Sequence, residues 1–263
     1  VLKNLSLEVQ KGEIVGLVGE SGSGKSTLAM AILRLLDRKN AKVTGEVLLD
    51  GEDLLKQNEK RLREIRGRKI SVVLQSPLTS LNPALKIGTQ LKEAWRAHAK
   101  TNGDEAVAAI REALRNVSLP FDDEFLSRHA AQLSVGQGQR VTIAMAILHR
   151  PALLIADEAT SALDTITQAE VLQLFLRLNR ELGTAILYIS HDLLSVAALC
   201  QRVAILNQGE IVECDSPEII FASPRHAYTR RLVSALPARP SIHSDARESS
   251  SAAEELVTVD VDH

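Results

Sequence analysis

The sequence predicts a mostly parallel α/β fold, with antiparallel strands near the N-terminus and an inserted helical subdomain at about residues 79–145. Three observations predict it. The N-terminal region is rich in strand-length apolar runs, a long middle stretch shows only helical periodicity, and strand and helix patterns then alternate. The 263 residues are 45% hydrophobic and 24% charged, a composition that builds a globular core and excludes a wholly disordered chain. A chain of this length buries such a core without disulfide staples.

Each element has a local reason. Leu5, Leu7 and Val9 alternate with Ser6, Glu8 and Gln10, the pattern of a half-buried strand, which Lys11-Gly12 ends. Glu13 to Val18 is a second strand, followed by a glycine-rich turn and a helix over Lys25 to Leu36. Val43 to Asp50 and Ile70 to Leu74 read as strands. From about Gly88 to Asn116 the period is helical: Val107, Ile110, Leu114 and Val117 recur on one face, with Asn102 and Asp104 as candidate caps. A further helix runs from about Val135 to His149 and stops at Pro151. Strands return at Ala152 to Ala156 and Ala185 to Ile189, with a helix over about Thr167 to Leu182 between them. Arg202 to Leu206 and Glu210 to Cys214 flank Asn207-Gln208-Gly209, a hairpin signal. After Pro240 the composition turns to Ser, Ala, Asp and Glu, so a disordered acidic tail is expected over residues 239–263.

Bulk properties exclude several classes of function. The net charge of −2 offers no electrostatic reason for a nucleic-acid partner. It divides into −4 over residues 239–263 and +2 over residues 1–238, a mildly basic body with an acidic tail. Cys200 and Cys214 are the only cysteines, too few for a disulfide framework and without zinc-ligand spacing, which suggests a reducing compartment. Val141 to Leu148, broken only by Thr142, is the longest apolar stretch, far short of the roughly 18 residues of a membrane helix. Any membrane association is therefore expected to run through a partner.

Gly19-Glu20-Ser21-Gly22-Ser23-Gly24-Lys25-Ser26, followed by Thr27, fits G-x-x-x-x-G-K-[ST] between a strand and a helix. The chemistry needs each part. Glycines let backbone N–H groups turn inward around an anion, and the helix N-terminus adds its dipole. Lys25 supplies a point charge for the β- and γ-phosphates, and Ser26 a hydroxyl for Mg²⁺. Leu153 to Ala156 lead into Asp157 and Glu158. Asp157 at a strand end suits Mg²⁺, held through water, and Glu158 can orient or deprotonate an attacking water. These two motifs indicate a nucleoside triphosphatase without saying which kind.

Leu133-Ser134-Val135-Gly136-Gln137, followed by Gly138-Gln139-Arg140 and an apolar helix, begins some twenty residues before Asp157. Alone it reads equally well as a polar helix cap. In this order it resembles the LSGGQ signature of the ATP-binding cassette (ABC) family, a resemblance that covers residues 1 to 237 or so. The family implies a P-loop NTPase (RecA-like) core over residues 1–78 and 146–238, interrupted by a helical subdomain at 79–145 that ends in the signature. It implies ATP and Mg²⁺, and a dimer in which Ser134, Gly136 and Gln137 face nucleotide held by the opposite subunit. Gln75 resembles the Q-loop glutamine, which reaches Mg²⁺ and the attacking water. Ser161-Ala162-Leu163-Asp164 resembles the D-loop, and His191 the switch histidine that contacts the γ-phosphate. Two departures stand out. Val135 replaces a glycine: either its side chain turns outward or this signature serves a weakened site, and retention of Ser134 and Gly136 favours the first. Ala159 replaces the proline usual after the glutamate, with no evident chemical cost.

Leu74-Gln75-Ser76-Pro77-Leu78-Thr79-Ser80-Leu81-Asn82-Pro83 and His226-Ala227-Tyr228-Thr229-Arg230-Arg231-Leu232-Val233-Ser234-Ala235-Leu236-Pro237 resemble segments of the oligopeptide, dipeptide and nickel importer ATPases. The second segment also reads simply as an amphipathic helix. The resemblance implies two transmembrane permease subunits, a second cassette subunit, an extracytoplasmic solute-binding protein acting indirectly, and a peripheral place at the cytoplasmic face of the membrane. A soluble cassette ATPase of DNA repair or translation, an exporter ATPase and a non-hydrolysing regulatory subunit are the alternatives. The cysteine-rich C-terminal extension that holds an iron–sulfur cluster in many members has no counterpart here. Aromatic residues are 3% of the chain and the first is Trp95. Because the family stacks adenine on an aromatic upstream of the phosphate loop, Val1 is expected to lie inside the second strand of the fold, with the stacking residue upstream of it.

Overall fold

The computed structural model describes residues 1–37, 39, 41–99, 103–236 and 255–261. The chain forms two compact units, Val1–Lys56 with Leu187–His263, and Gln57–Ile186.

The first unit opens with β1 (Leu5–Gln10), whose Leu5, Leu7 and Val9 are buried as the alternation predicts. The wholly buried β2 (Ile14–Val18) leads into the glycine-rich turn and α1 (Lys25–Ile32). That helix stops one turn short of the expected Leu36. Arg34 turns left-handed at φ 54°, and its guanidinium donates to the carbonyls of Leu54 and Leu55 rather than continuing the helix. A short hairpin, β3 (Glu46–Leu49) and β4 (Glu52–Asp53), closes this segment.

The second unit contains α2 (Glu59–Ile65), β5 (Ile70–Val73), α3 (Pro77–Ser80), α4 (Ile87–Arg96), α5 (Asp104–Asn116), α6 (Asp123–Ser127), α7 (Val135–Ile147), β6 (Leu153–Asp157) and α8 (Thr165–Leu182). Strands β5 and β6 pair in parallel, from Ile70 opposite Leu153 to Val73 opposite Ala156. Helix α7 packs on β5 as well as on α3, α4 and α5, which is why these strands group with the helices instead of separating from them at residues 79 and 145. Helix α5 is capped by Gly103 at φ 96°, not by the side chain of Asp104, which sits in the first turn; Asn102 lies outside the described residues. Its buried face is Ala106, Ile110, Ala113 and Leu114, while Val107, expected inside, is 38% exposed on the flank.

The boundary between the units falls within β7 (Ala185–Ser190). The first unit resumes with α9 (Leu193–Leu199), β8 (Arg202–Asn207), β9 (Glu210–Asp215), α10 (Pro217–Ala222), α11 (Ala227–Ser234) and β10 (Glu255–Val261). Strand β8 runs parallel to β2 and antiparallel to β9. Gln208 and Gly209 both have positive φ, 50° and 87°, the backbone of the tight hairpin that the sequence signals.

The acidic tail requires a correction. Residues 239–254 and 262–263 lie outside the described residues, but Glu255–Val261 are a strand and not disordered. Strand β10 lies between β1 and β3, antiparallel to both, in a sheet of order β1-β10-β3-β4. Leu256, Val257 and Val259 are each no more than 2% exposed. Average composition hides this strand because its apolar residues are few, yet the run is β-branched and sits between two strands whose ladder groups it satisfies.

Leu256→Ala should lower stability by about 2–5 kcal/mol, read from urea unfolding, whereas a change below about 1 kcal/mol would show that β10 adds little to the sheet. Glu213 offers an acid-side check. Burial alone raises its carboxyl, but the amides of Arg225 (2.8 Å) and His226 (3.0 Å) donate to it and hold it below the ordinary value. A lowered pKa stabilises the fold above the unfolded value of about 4.3 and loses that contribution as pH falls through the folded value. Glu213→Gln should therefore flatten the stability profile on the acid side of about pH 4 while lowering stability at neutral pH.

Candidate functional site

The phosphate loop is shaped by its glycines at specific points. A Cβ on Gly19 would sit 2.2 Å from the Leu206 carbonyl oxygen and 2.7 Å from Ser23 Oγ, so only glycine lets the loop pass the end of β8. Gly22 and Gly24 have φ of 83° and 112°, which turn the chain into α1. Gly24 is the N-cap and uses no side chain, so the first N–H groups of α1 face the loop uncapped by protein side chains. Lys25 is only 6% exposed; its ammonium donates to the Gly19 carbonyl at 2.7 Å and the Glu20 carbonyl at 3.0 Å. Ser23 Oγ is buried and has no hydrogen-bond partner. A buried ammonium, an unpartnered hydroxyl and a helix N-terminus are thereby gathered at one loop, chemistry that suits an anion. Ser21 and Ser26 are exposed, and Thr27, the third residue of the helix, is partly buried.

The same unit supplies a residue that sequence reasoning did not assign to this loop. The amide of Glu20 donates to the Tyr228 hydroxyl at 3.0 Å. Tyr228 lies on α11, is 3% exposed, and burial pushes its phenol above the ordinary value, so it stays protonated at neutral pH. The amphipathic reading of residues 226–237 therefore captured the helix, Ala227–Ser234, but not its contact with the loop. His191, exposed, follows β7 directly; Ser190 and Asp192 around it are tied by an Asp192 amide bond to Ser190 Oγ of 3.0 Å, and Asp192 caps α9.

In the second unit, Asp157 ends β6 and is 6% exposed. Glu158 follows in the left-handed region at φ 51°, an uncommon conformation for a glutamate. Its carbonyl accepts from the Ser161 amide (3.1 Å) and Ser161 Oγ (2.9 Å), which pins the turn. Strain of this kind clusters where a side chain must be aimed. Gln75 is exposed two residues beyond β5, not at its last position. Gln75 and Asp157 in this unit, like Ser26 in the first, carry hard oxygen atoms of the kind Mg²⁺ prefers.

The signature turn is an N-cap. Ser134 Oγ accepts from the Gln137 amide and Gln137 Oε1 accepts from the Ser134 amide, each at 3.2 Å, a reciprocal capping box at the start of α7. Gly136 and Gly138 are needed for packing: a Cβ would lie 2.7 Å from Thr167 and 2.9 Å from Leu78. Val135, the first residue of α7, is 39% exposed. Asp164 caps α8, accepting from the amides of Ile166 and Thr167 and from Thr167 Oγ1 at 2.7 Å; the Thr167 bonds hold its carboxyl below the usual range.

Phosphate loops of this build serve many nucleoside triphosphatases. What narrows the class is the capped Leu133–Gln137 turn on a chain that also ends β6 in Asp157 and Glu158, and that class is the ATP-binding cassette. Comparison with known proteins agrees: the ABC transporter family model matches residues 2–161, and the chain belongs to that family. It is 44% identical over 239 residues to a probable peptide ABC transporter ATP-binding protein of Sinorhizobium fredii, covering 90% of this chain and 71% of that one. It is 42% identical over 242 residues to the glutathione import ATP-binding protein GsiA of Escherichia coli, covering 90% of this chain but only 39% of that protein. Among solved structures, the dimeric post-hydrolysis state of the cassette MJ0796 bound to ADP and Pi matches with a TM-score of 0.71 and 31% identity, over 82% of this chain and 90% of that one. CbiO1 of Clostridium perfringens, part of the cbiONQ transporter complex, matches with a TM-score of 0.73 and 27% identity, over 84% of each.

Tyr228→Phe should weaken ATP binding by about two- to tenfold, the worth of one ordinary hydrogen bond, while leaving the far-UV spectrum unchanged. Affinity equal to wild type by equilibrium titration would exclude the buttress role.

Proposed function

We propose that this chain is the ATP-binding and hydrolysing subunit of a membrane importer, with peptides as the first substrate class and nickel or metal chelates as the second. The observation that carries the reading is the combination of a cassette signature, built as a capped helix start, with 44% identity to a peptide transporter's ATP-binding protein.

Each residue then has a task. Loop amides from Gly19 to Thr27 hold the phosphates, and Lys25 exchanges its loop carbonyls for β- and γ-phosphate oxygens. Ser26, Gln75 and Asp157 would hold Mg²⁺, directly or through water, which neutralises phosphate charge when bound. Glu158 orients and deprotonates the attacking water, and Gln75 and His191 steady that water and the γ-phosphate. Ser134, Gly136 and Gln137 present a helix start to nucleotide on a second cassette subunit, and Asp164 belongs to the same dimer face.

ATP thus closes two cassettes on each other, and hydrolysis releases them. Two permease subunits convert that cycle into transport, and an extracytoplasmic solute-binding protein delivers the solute. No helix among the described residues is long and apolar enough to cross a membrane, which fits a subunit attached peripherally through its permeases at the cytoplasmic face.

In the reconstituted complex, Glu158→Gln should retain ATP binding and lower turnover at least a hundredfold, the usual scale for loss of a general base. Wild-type turnover no faster than that of Glu158→Gln would overturn the catalytic assignment. Stimulation of the ATPase by a peptide-loaded binding protein would support the importer reading, and its absence with peptide and with nickel chelate alike would refute it.

A further inference from the structure

The helical side of the second unit holds a second cluster of chemistry that includes none of the cassette-motif residues. Trp95 and His149 stack with centroids 4.9 Å apart and planes 14° from parallel, and His98 meets His149 edge-on at 5.2 Å. Trp95 and His149 border a cavity of about 330 Å³, whose polar wall is Arg68, Glu112, Asn116 and Arg150 and whose apolar wall includes Ala109 and Ala113. Arg150 is already engaged, pairing with Glu112 at 2.6 Å. Arg68 has no carboxylate partner among the described residues, so one guanidinium faces the cavity uncompensated. His149 Nε2 lies 3.3 Å from the Ala94 carbonyl, which leaves Nδ1 for another partner. A cavity of this volume is at the lower end of small-molecule sites, and an aromatic wall beside a few polar groups is their usual lining.

We propose that this cavity is a binding site for a small organic anion, a carboxylate or phosphate ester on a flat apolar body. The charged group meets Arg68, His149 and the Asn116 amide, and the body lies along Trp95 and the alanines of α5. Proton uptake is linked to it. Burial, then the neighbouring His149 and Arg68, hold the His98 imidazole below its ordinary value, with the Arg66 carbonyl opposing them. Among the described residues Glu112 is the one carboxylate lining the cavity, and it is taken by Arg150. An added anion offsets the repulsion among the cations, so affinity should rise as pH falls through the histidine range.

Trp95 is the only tryptophan of the chain, so its emission reports this place and no other. Phenyl phosphate and benzoate share one flat body and differ in the charged group, and each is titrated against the full chain. A saturable change in Trp95 emission with either probe, several-fold tighter at about pH 6 than at about pH 8, is the expected result. Response to phenyl phosphate alone assigns a phosphate ester, and response to benzoate alone or to both assigns a carboxylate-tolerant site. Arg68→Ala should weaken the response about tenfold or more, and Asn116→Ala more modestly, with ATP affinity unchanged in both. Lys25→Ala should leave it intact. No saturable change with either probe, an unchanged affinity in Arg68→Ala, or loss of the signal in Lys25→Ala (which would place the probe on the phosphate loop) each overturns the site.

Discussion

Lys25 is nearly buried, and its ammonium is met by two carbonyls of the loop it follows. A buried cation must be satisfied, and here backbone oxygens satisfy it until phosphate oxygens compete. That arrangement requires the loop to lie close to its neighbours, and three contacts bring it there. Gly19 passes the Leu206 carbonyl with no room for a side chain, Tyr228 takes the Glu20 amide, and Gly24 opens α1 in a conformation that L-residues avoid. The parallel pairing of β2 with β8, the Tyr228 contact from α11 and the start of α1 all meet at this loop.

Charge and dipole do two kinds of work in this chain, and the same motif often does both. Ser134 and Asp164 belong to motifs assigned to nucleotide and dimer contacts, yet each is also a helix N-cap. A cap fixes where a helix begins, and the beginning of a helix is where an anion binds. The structural and functional readings of LSVGQ are therefore compatible. The box between Ser134 and Gln137 holds the turn in shape, and Gly136 lets it sit against Thr167. Val135, in place of the usual glycine, takes position N1 of the helix and is partly exposed there.

The C-terminal region contributes more than its composition suggests. Helix α11 reaches back to the phosphate loop through Tyr228, and Glu213 fastens the turn before that helix by accepting from two amides. Strand β10 then lies between β1 and β3, so a sheet whose other strands flank the phosphate loop in sequence is finished by residues from the far end of the chain. The sheet and the phosphate loop are in this way tied to segments some two hundred residues downstream.

Motifs whose chemistry depends on short spacing were legible in the amino-acid order: the Gly19–Ser26 loop, Asp157 with Glu158, and the Leu133–Gln137 turn are each set by neighbours a few residues away. Strand and helix types were legible for the same reason, since periodicity is local, although ends such as that of α1 were not, because Arg34 answers to carbonyls of residues 54 and 55. Long-range satisfaction decided the rest. No local signal states that Tyr228 will meet Glu20, that Arg68 will share a cavity with Trp95 and His149, or that a seven-residue run inside an acidic tail will complete a sheet. Those outcomes depend on which unpaired backbone groups and apolar faces remain once the local elements have formed, and only tertiary packing determines that.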